Sequence, residues 1–313
     1  PLLGLLLSPF TQPTLSMVIW FGVQLLSLSL LLLAGRKVGA SWSVICALVL
    51  SSTAVWHNWK WGQVSVLINA FAVLGLLYPA RLGGCLIGFA AALKGYPAIW
   101  LIIAGLHREW RRCAWGVGVG AGIGLMLPAA LIGVGPVAKF IDNMRVSGAH
   151  ISSLAPSLGG QALEPSLHRW LVEGSMAVNG QYHIEGLVMS LSPAISQLLS
   201  VSLLGLALLW FARKWSQTPV IHRALWLLLW LLLLLPPGWV HYFSLLPVIQ
   251  AYLWLFPKIR WPLLGVVVVE RLPMLLLFVI PDFYFSWSMW GGATICGVVT
   301  LILLSVVLTK ATT

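Results

Sequence analysis

Apolar runs of membrane-crossing length, separated by short polar or basic loops, alternate along almost the whole chain. About twenty apolar residues suffice for a helix to cross the hydrocarbon core of a bilayer. Pro1 to Phe10 is apolar but too short to cross, and Pro9 and Pro13 bracket its end, which suits an interfacial lead-in helix. Spans are then predicted over Thr14 to Ala34, Val38 to Val55, Val64 to Tyr78, Ala114 to Val134 and Leu187 to Phe211. Further spans are predicted over Ala224 to Leu235, a short run ending at Phe256, Trp261 to Ile280 and Trp290 to Leu308. Leu82 to Leu106 reads differently. It is apolar on both sides of Lys94-Gly95-Tyr96-Pro97, and both its flanks are basic, so it is predicted to enter and return as a broken helical hairpin.

The pattern predicts an all-α polytopic membrane protein: a bundle of about nine full spans plus the hairpin. Its expected organisation is a membrane module over 1–134, with the hairpin at 82–106, an outer loop subdomain over 135–186 and a second membrane module over 187–313. The loop holds Asp142, Glu164, Glu173 and Glu185, and two short amphipathic stretches, Val137 to Val146 and Pro165 to Val172.

Composition agrees. Of 313 residues 60% are hydrophobic and 8% charged, and the mean hydropathy of +0.97 excludes an ordinary soluble domain. The net charge of +11 raises nucleic acid as a partner, but the basic residues are spread over short loops, so no nucleic-acid partner is expected. Alternating the crossings gathers Arg36, Lys37, Arg81, Arg108, Arg111, Arg112, Arg213, Lys214, Arg223, Lys258, Arg260 and Lys310 on one face. Basic loops favour the cytoplasmic side, so that face is expected to be cytoplasmic. Cys46, Cys85, Cys113 and Cys296 lack metal-ligand spacing and read as small apolar residues; no metal is expected. Gly116, Gly118, Gly120, Gly122 and Gly124 point to close helix packing rather than a phosphate loop.

The stretch Trp56 to Pro97 carries the most chemistry. Lys94 is an ammonium inside a long uncharged run, a costly placement in lipid unless it faces a cavity, a partner or an anionic ligand. Lys60 sits among Trp56, Trp59 and Trp61; it is a second candidate for holding a negative charge, with interfacial anchoring equally open. His241, after Pro236-Pro237, stands at an outer break among aromatics, open to binding, proton handling or capping. Gln63 and Asn69 share one face of a span, with helix–helix hydrogen bonding the other reading. Glu270-Arg271 in mid-span reads as an internal ion pair, and Ser166 with His168 lacks the surroundings of a hydrolase triad.

Pro1-Leu2-Leu3 with Ser8-Pro9, Gly62-Gln63-Val64 opening a span, Gly88-Phe89-Ala90-Ala91-Ala92-Leu93-Lys94-Gly95-Tyr96-Pro97, and His241-Tyr242 near an outer mouth together resemble glycosyltransferase family 87. The resemblance covers most of the chain and is most specific around the Gly-Gln entry and the Lys-x-x-Pro ending. It implies a GT-C fold and an inverting sugar transfer from a polyprenyl-phosphate donor, often of mannose or arabinose. It also implies a glycolipid or glycan acceptor, no further cofactor, and an outward-facing site in the cytoplasmic membrane of a bacterium.

Such a donor needs cationic or hydrogen-bonding groups at its phosphate and aromatic rings near its sugar. The expected donor-binding residues are accordingly Trp59, Lys60, Trp61, Gln63, Lys94, His241 and Tyr242. A carboxylate must also take the acceptor's proton. In related enzymes that acid lies in a first outer loop, which is expected upstream of Pro1; Asp142, Glu164 and Asp282 are the alternatives within the chain. A transporter or lipid flippase, and a non-catalytic membrane scaffold, are the competing classes. The first predicts an internal repeat, which is not evident.

Overall fold

The structure, a computed structural model, describes residues 13–106, 109–139, 141–143, 160–171, 192–235, 239–276, 279–280 and 283–311. Among them every extended regular element is helical, with one isolated bridge between Gly160 and Trp239. Contacts divide the chain into two compact units. One is Pro1–Lys37 with Gly62–Gly148, the other Val38–Trp61 with Ala149–Thr313.

In the first unit lie α1 (Pro13–Lys37), α4 (Ser65–Leu77), α5 (Ala80–Leu93), α6 (Ile99–Leu106), α7 (Trp110–Ala121) and α8 (Leu127–Ile132). The second holds α2 (Trp42–Leu50), α3 (Thr53–Lys60), α9 (Leu163–Leu171), α10 (Pro193–Lys214), α11 (Val220–Leu234), α12 (Leu246–Leu253), α13 (Arg260–Leu276), α14 (Phe283–Met289) and α15 (Gly292–Ala311). Three helical stretches are long and apolar enough to cross a membrane: Thr14–Lys37, Trp110–Ile132 and Ala194–Gln217. The second runs from α7 through a π-helical turn, Gly122–Met126, into α8. Five shorter apolar helices, Ser65–Leu77, Ala80–Leu93, Val220–Leu234, Val240–Leu253 and Gly292–Leu308, have 10–17 residues. Shortening has a local cause where the expected span Val38 to Val55 divides into α2 and α3. Ser52 leaves the helix at Ser51-Ser52 and caps α3 by accepting from the Val55 N–H.

The first unit is held by close backbone approach. Gly84, Gly88 and Ala92 form one four-residue stripe on α5, and Arg112, Gly116, Gly120 and Gly124 form another along α7 and its continuation. The stripes meet in parallel register. A Cβ at Gly84 or Gly88 would overlap the carbonyl oxygen of Arg112 or Gly116, and one at Gly124 would touch Ala92 at 3.3 Å. Small residues let the helices approach until their backbones touch, where dispersion is strongest. The alternate glycines Gly118 and Gly122 meet nothing within 4 Å. Of the five glycines noted in the sequence, only those on the four-residue period carry this contact. Parallel α5 and α7 require the intervening α6 to run back, which is the predicted hairpin. Arg112, buried, donates to the last carbonyls of α4, those of Gly75 and Tyr78, and pairs with Glu109 at 2.6 Å.

Polar contacts hold the second unit. Arg271 is 5% and Glu270 1% exposed. The expected ion pair forms at 2.6 Å, and Arg271 further donates to Ser51 Oγ, Leu48 O, Val267 O and Gln250 Oε1 at 2.9–3.1 Å. Glu270 Oε1 accepts from Ser52 Oγ at 2.8 Å and from the Ala54 N–H at 3.3 Å, and Thr53 donates to the Glu270 carbonyl. In the same unit α9 is fastened to α14 and α15. Gln161 Nε2 donates to Ser288 O at 2.8 Å, Ser166 and Thr294 share a hydrogen bond of 2.7 Å, and Arg169 donates to Gly160 O at 2.6 Å. Gly291, at φ +69°, lies where a side chain would collide with Ser166.

Two predictions follow from these contacts. Gly88→Val should cost about 1–3 kcal/mol or prevent folding, while Gly118→Ala should be nearly neutral, as read from unfolding in detergent; equal losses would refute the stripe. Arg271→Ala should cost about 3–5 kcal/mol because it strands a buried carboxylate, whereas Glu270→Leu with Arg271→Met should recover much of that loss. A double variant as unstable as the single one would show that shape rather than charge pairing governs this point.

Candidate functional site

In the first unit, α5 ends at Leu93 and Lys94 takes an extended backbone, φ −155° and ψ 114°. A 3-10 turn, Tyr96–Ala98, follows, with Pro97 inside it. Proline offers no N–H to continue the ladder, so the helix restarts only at α6. Lys94 is half-buried, and two residues on Tyr96 donates its hydroxyl to Asn69 Oδ1 on α4 at 3.0 Å. Asn69 is 1% exposed, so this bond ties the hairpin tip to the interior of the unit. Arg81 and Arg112 stand at the opposite end, where Arg81 lies 4.6 Å over the Trp115 ring and Lys37 5.3 Å over the Tyr78 ring. Fourteen residues of α5 put the Lys94 end and the arginine end about 20 Å apart. Gln63 contributes its carbonyl to Gln24 Nε2 at 2.9 Å, and its side chain is half-buried.

In the second unit a column of rings gathers at one end of α11. His57 on α3 stacks on His241 with centroids 5.7 Å apart and planes 11° apart, and on Tyr284 of α14 at 5.8 Å and 18°. Trp239 stacks on His241 at 6.2 Å, and Trp287 on Tyr284 at 6.4 Å. Tyr242 meets His241 edge-on at 4.9 Å, and His57 tilts against Trp61 at 6.0 Å. The 3-10 segment Val240–Leu245 holds His241, which is 5% exposed. Trp61 and Lys60 are exposed, the ammonium 5.8 Å from the indole, and Trp59 packs edge-on to Trp56 at 5.7 Å. Gly62, at φ +56°, turns the chain after α3.

The structure thus brings Trp61, His241 and Tyr242 to one cluster, with Trp59 and Lys60 on the same helix α3. Lys94 and Gln63 belong to the first unit. His57 and Tyr284 join the cluster without having been singled out from the sequence; the four-residue spacing from His57 to Trp61 was the available signal. Asp142 is exposed in the first unit, and Asp282 lies outside the described residues. Glu164 contacts Ser196 at 3.4 Å and His168 at 3.9 Å. Burial raises the Glu164 carboxyl above its ordinary value, with His168, Ser196 and Arg169 opposing. No group of three or more His, Cys, Asp or Glu able to hold a metal ion occurs among the described residues.

These apolar helices define an integral membrane protein whose extended regular elements, among the described residues, are helical throughout. The sequence model of glycosyltransferase family 87 matches residues 1–237, three quarters of the chain, and the protein belongs to that family. It is a membrane glycosyltransferase. His241 and Tyr242 lie beyond the matched residues. No curated protein and no solved structure gives a match.

Burial, reinforced by the Lys60 ammonium, pushes the His57 imidazole down to about 4 from 6.5. A depressed folded value means that the unfolded chain binds the proton first as pH falls. The stabilisation tied to neutral His57 is therefore complete above pH 6.5 and is lost as pH drops toward 4. Thermal unfolding in detergent should show this decline, and His57→Phe should flatten it; an unchanged slope in the variant would assign the acid sensitivity elsewhere.

Proposed function

We propose that the protein moves a mannose- or arabinose-like sugar, with inversion, from a polyprenyl-phosphate donor to a glycolipid or glycan acceptor. The fold proposed is a GT-C bundle of about nine spans and a hairpin, working at the outer face of a bacterial cytoplasmic membrane. Donor and bilayer lipid are the proposed small-molecule partners, without a further cofactor. The observation that carries this reading is Lys94. An apolar helix stops at it, the backbone turns extended, and the Tyr96–Asn69 bond braces the break. That ammonium stands at the end of α5 remote from Arg81 and Arg112, so it is not one more member of the basic cluster.

Transfer leaves charge on the departing phosphate, and a fixed cation at that oxygen lowers the barrier more than it strengthens ground-state binding. Lys94, Gln63, Trp59, Lys60, Trp61, His241 and Tyr242 are the residues assigned to the donor, the aromatics toward the sugar. The acceptor's proton goes to a carboxylate, for which Glu164 has the raised basicity a base requires and Asp142 and Asp282 are the alternatives.

Lys94→Ala should lower transfer from polyprenyl-phosphate mannose or arabinose by about 10²–10³-fold, with Lys94→Arg retaining part of it, as measured by radiolabelled product. Full turnover in Lys94→Ala would remove the proposed phosphate contact.

A further inference from the structure

The ring column in the second unit contains a histidine that the proposed reaction does not use. His57 stacks on His241 and on Tyr284, nearly parallel to both, with centroid separations of 5.7 and 5.8 Å. These separations fall in the range of offset stacking, where the partly positive edge of one ring lies over the π face of the next. Trp239 stacks in turn on His241, and Trp287 on Tyr284. Three chain segments supply the column: α3, the turn around Val240–Leu245, and α14. The indole of Trp239 and the imidazole of His57 thus both lie near-parallel to His241, at 18° and 11°.

We infer that His57 is a positioning residue, which fixes the plane of the His241 imidazole by stacking on it. The inference rests on the reading of His241 as a donor contact. A terminal ring torsion is broad and roughly two-fold in its preference, so an imidazole without stacked neighbours samples many orientations. A near-parallel neighbour restricts that torsion to the settings that keep the stacked plane, one orientation and its flip, so the edge of His241 stays in that plane. An aim fixed before the substrate arrives is what electrostatic stabilisation of a leaving group needs.

The Nδ1 of His57 is buried and makes no hydrogen bond among the described residues, while its ring lies near-parallel to those of His241 and Tyr284. The titratable and charged groups around it are Lys60 on its own helix, His241 and Tyr242 on the turn and Tyr284 on α14. Glu270 and Arg271 of α13 lie at the first turn of α3. Burial and Lys60 keep His57 neutral near pH 7, so its face can lie against His241 whether or not that ring is charged.

The test uses the full chain in detergent with isotope-labelled histidine. The His241 ring signals are assigned by their loss in His241→Ala. His57→Ala, checked for a normal helical spectrum and elution, should move the His241 ring-proton signals, because the ring current above them is gone. It should also lower kcat for the polyprenyl-phosphate sugar that the wild type uses by about tenfold while KM for that donor changes little. His57→Phe refills the column and should retain both the signals and the turnover. Unmoved His241 signals in His57→Ala would overturn the inference, as would a His57→Phe variant as slow as His57→Ala, since a nitrogen rather than a ring face would then matter. Normal transfer by His241→Ala would instead overturn the functional reading beneath it, and the two failures appear in different measurements.

Discussion

The interaction on which the second unit depends is the buried guanidinium of Arg271. An arginine carries five N–H donors in a fixed fork and no acceptor, and burying it is tolerable only when those donors find oxygens. Here they reach Glu270, Ser51, Leu48, Gln250 and Val267. The partners lie on α2, α12 and α13 and at the break after α2, so one side chain draws together segments more than two hundred residues apart. Leu48 O is one of the last carbonyls of α2, which lacks an acceptor's usual helical donor. The break at Ser51-Ser52 and the charge pair therefore satisfy each other. The broken helix supplies orphan carbonyls and hydroxyls, and the ion pair consumes them.

The two units use different physics for the same end. Helix association in lipid gains nothing from expelling water between apolar faces, so contact must come from packing or from polar bonds. The first unit follows the packing route, with Gly84, Gly88, Gly116 and Gly120 bringing α5 and α7 together backbone to backbone. The second follows the polar route, through Arg271 with Glu270 and through the Gln161, Ser166 and Thr294 bonds under α9. A glycine stripe tolerates no added atom at the contact, and a polar network tolerates no lost partner. The units are thus sensitive to opposite kinds of substitution.

What local chemistry dictates was legible in the sequence. The interruption at Lys94-Gly95-Tyr96-Pro97 was legible because proline and glycine act on the backbone within a few residues, and the Glu270-Arg271 pair because two charges in an apolar run must meet something. Its partners were not legible: nothing near Glu270 points to Ser52. The glycines of α7 were read as one group, yet only the period that faces α5 makes contact, and which face that is depends on a helix some thirty residues earlier. Helix lengths were harder still. Hydropathy continues across Ser51-Ser52 because serines are small and mildly polar, while the backbone leaves the helix there for a capping bond that a window average does not register. His57 was overlooked for a related reason. Its neighbours Trp59, Lys60 and Trp61 looked more chemical, whereas its place follows from Tyr284 and His241, far along the chain.

The polar points of both units share one feature: each stands where a helix is interrupted. Lys94 follows the end of α5, Ser52 opens α3, and His241 sits in a 3-10 segment before α12. A regular apolar helix satisfies its own backbone and leaves no reason for polar side chains to gather. An interruption frees carbonyls and N–H groups, and the side chains that satisfy them arrive already oriented. In Lys94 the backbone carbonyls and the ammonium are displaced together, with the Tyr96–Asn69 bond holding the displaced turn in place. In His241 the stacked rings do the holding. A catalyst within a membrane needs polar groups that are fixed rather than merely present, and interruptions braced from the side meet that requirement within an otherwise apolar bundle.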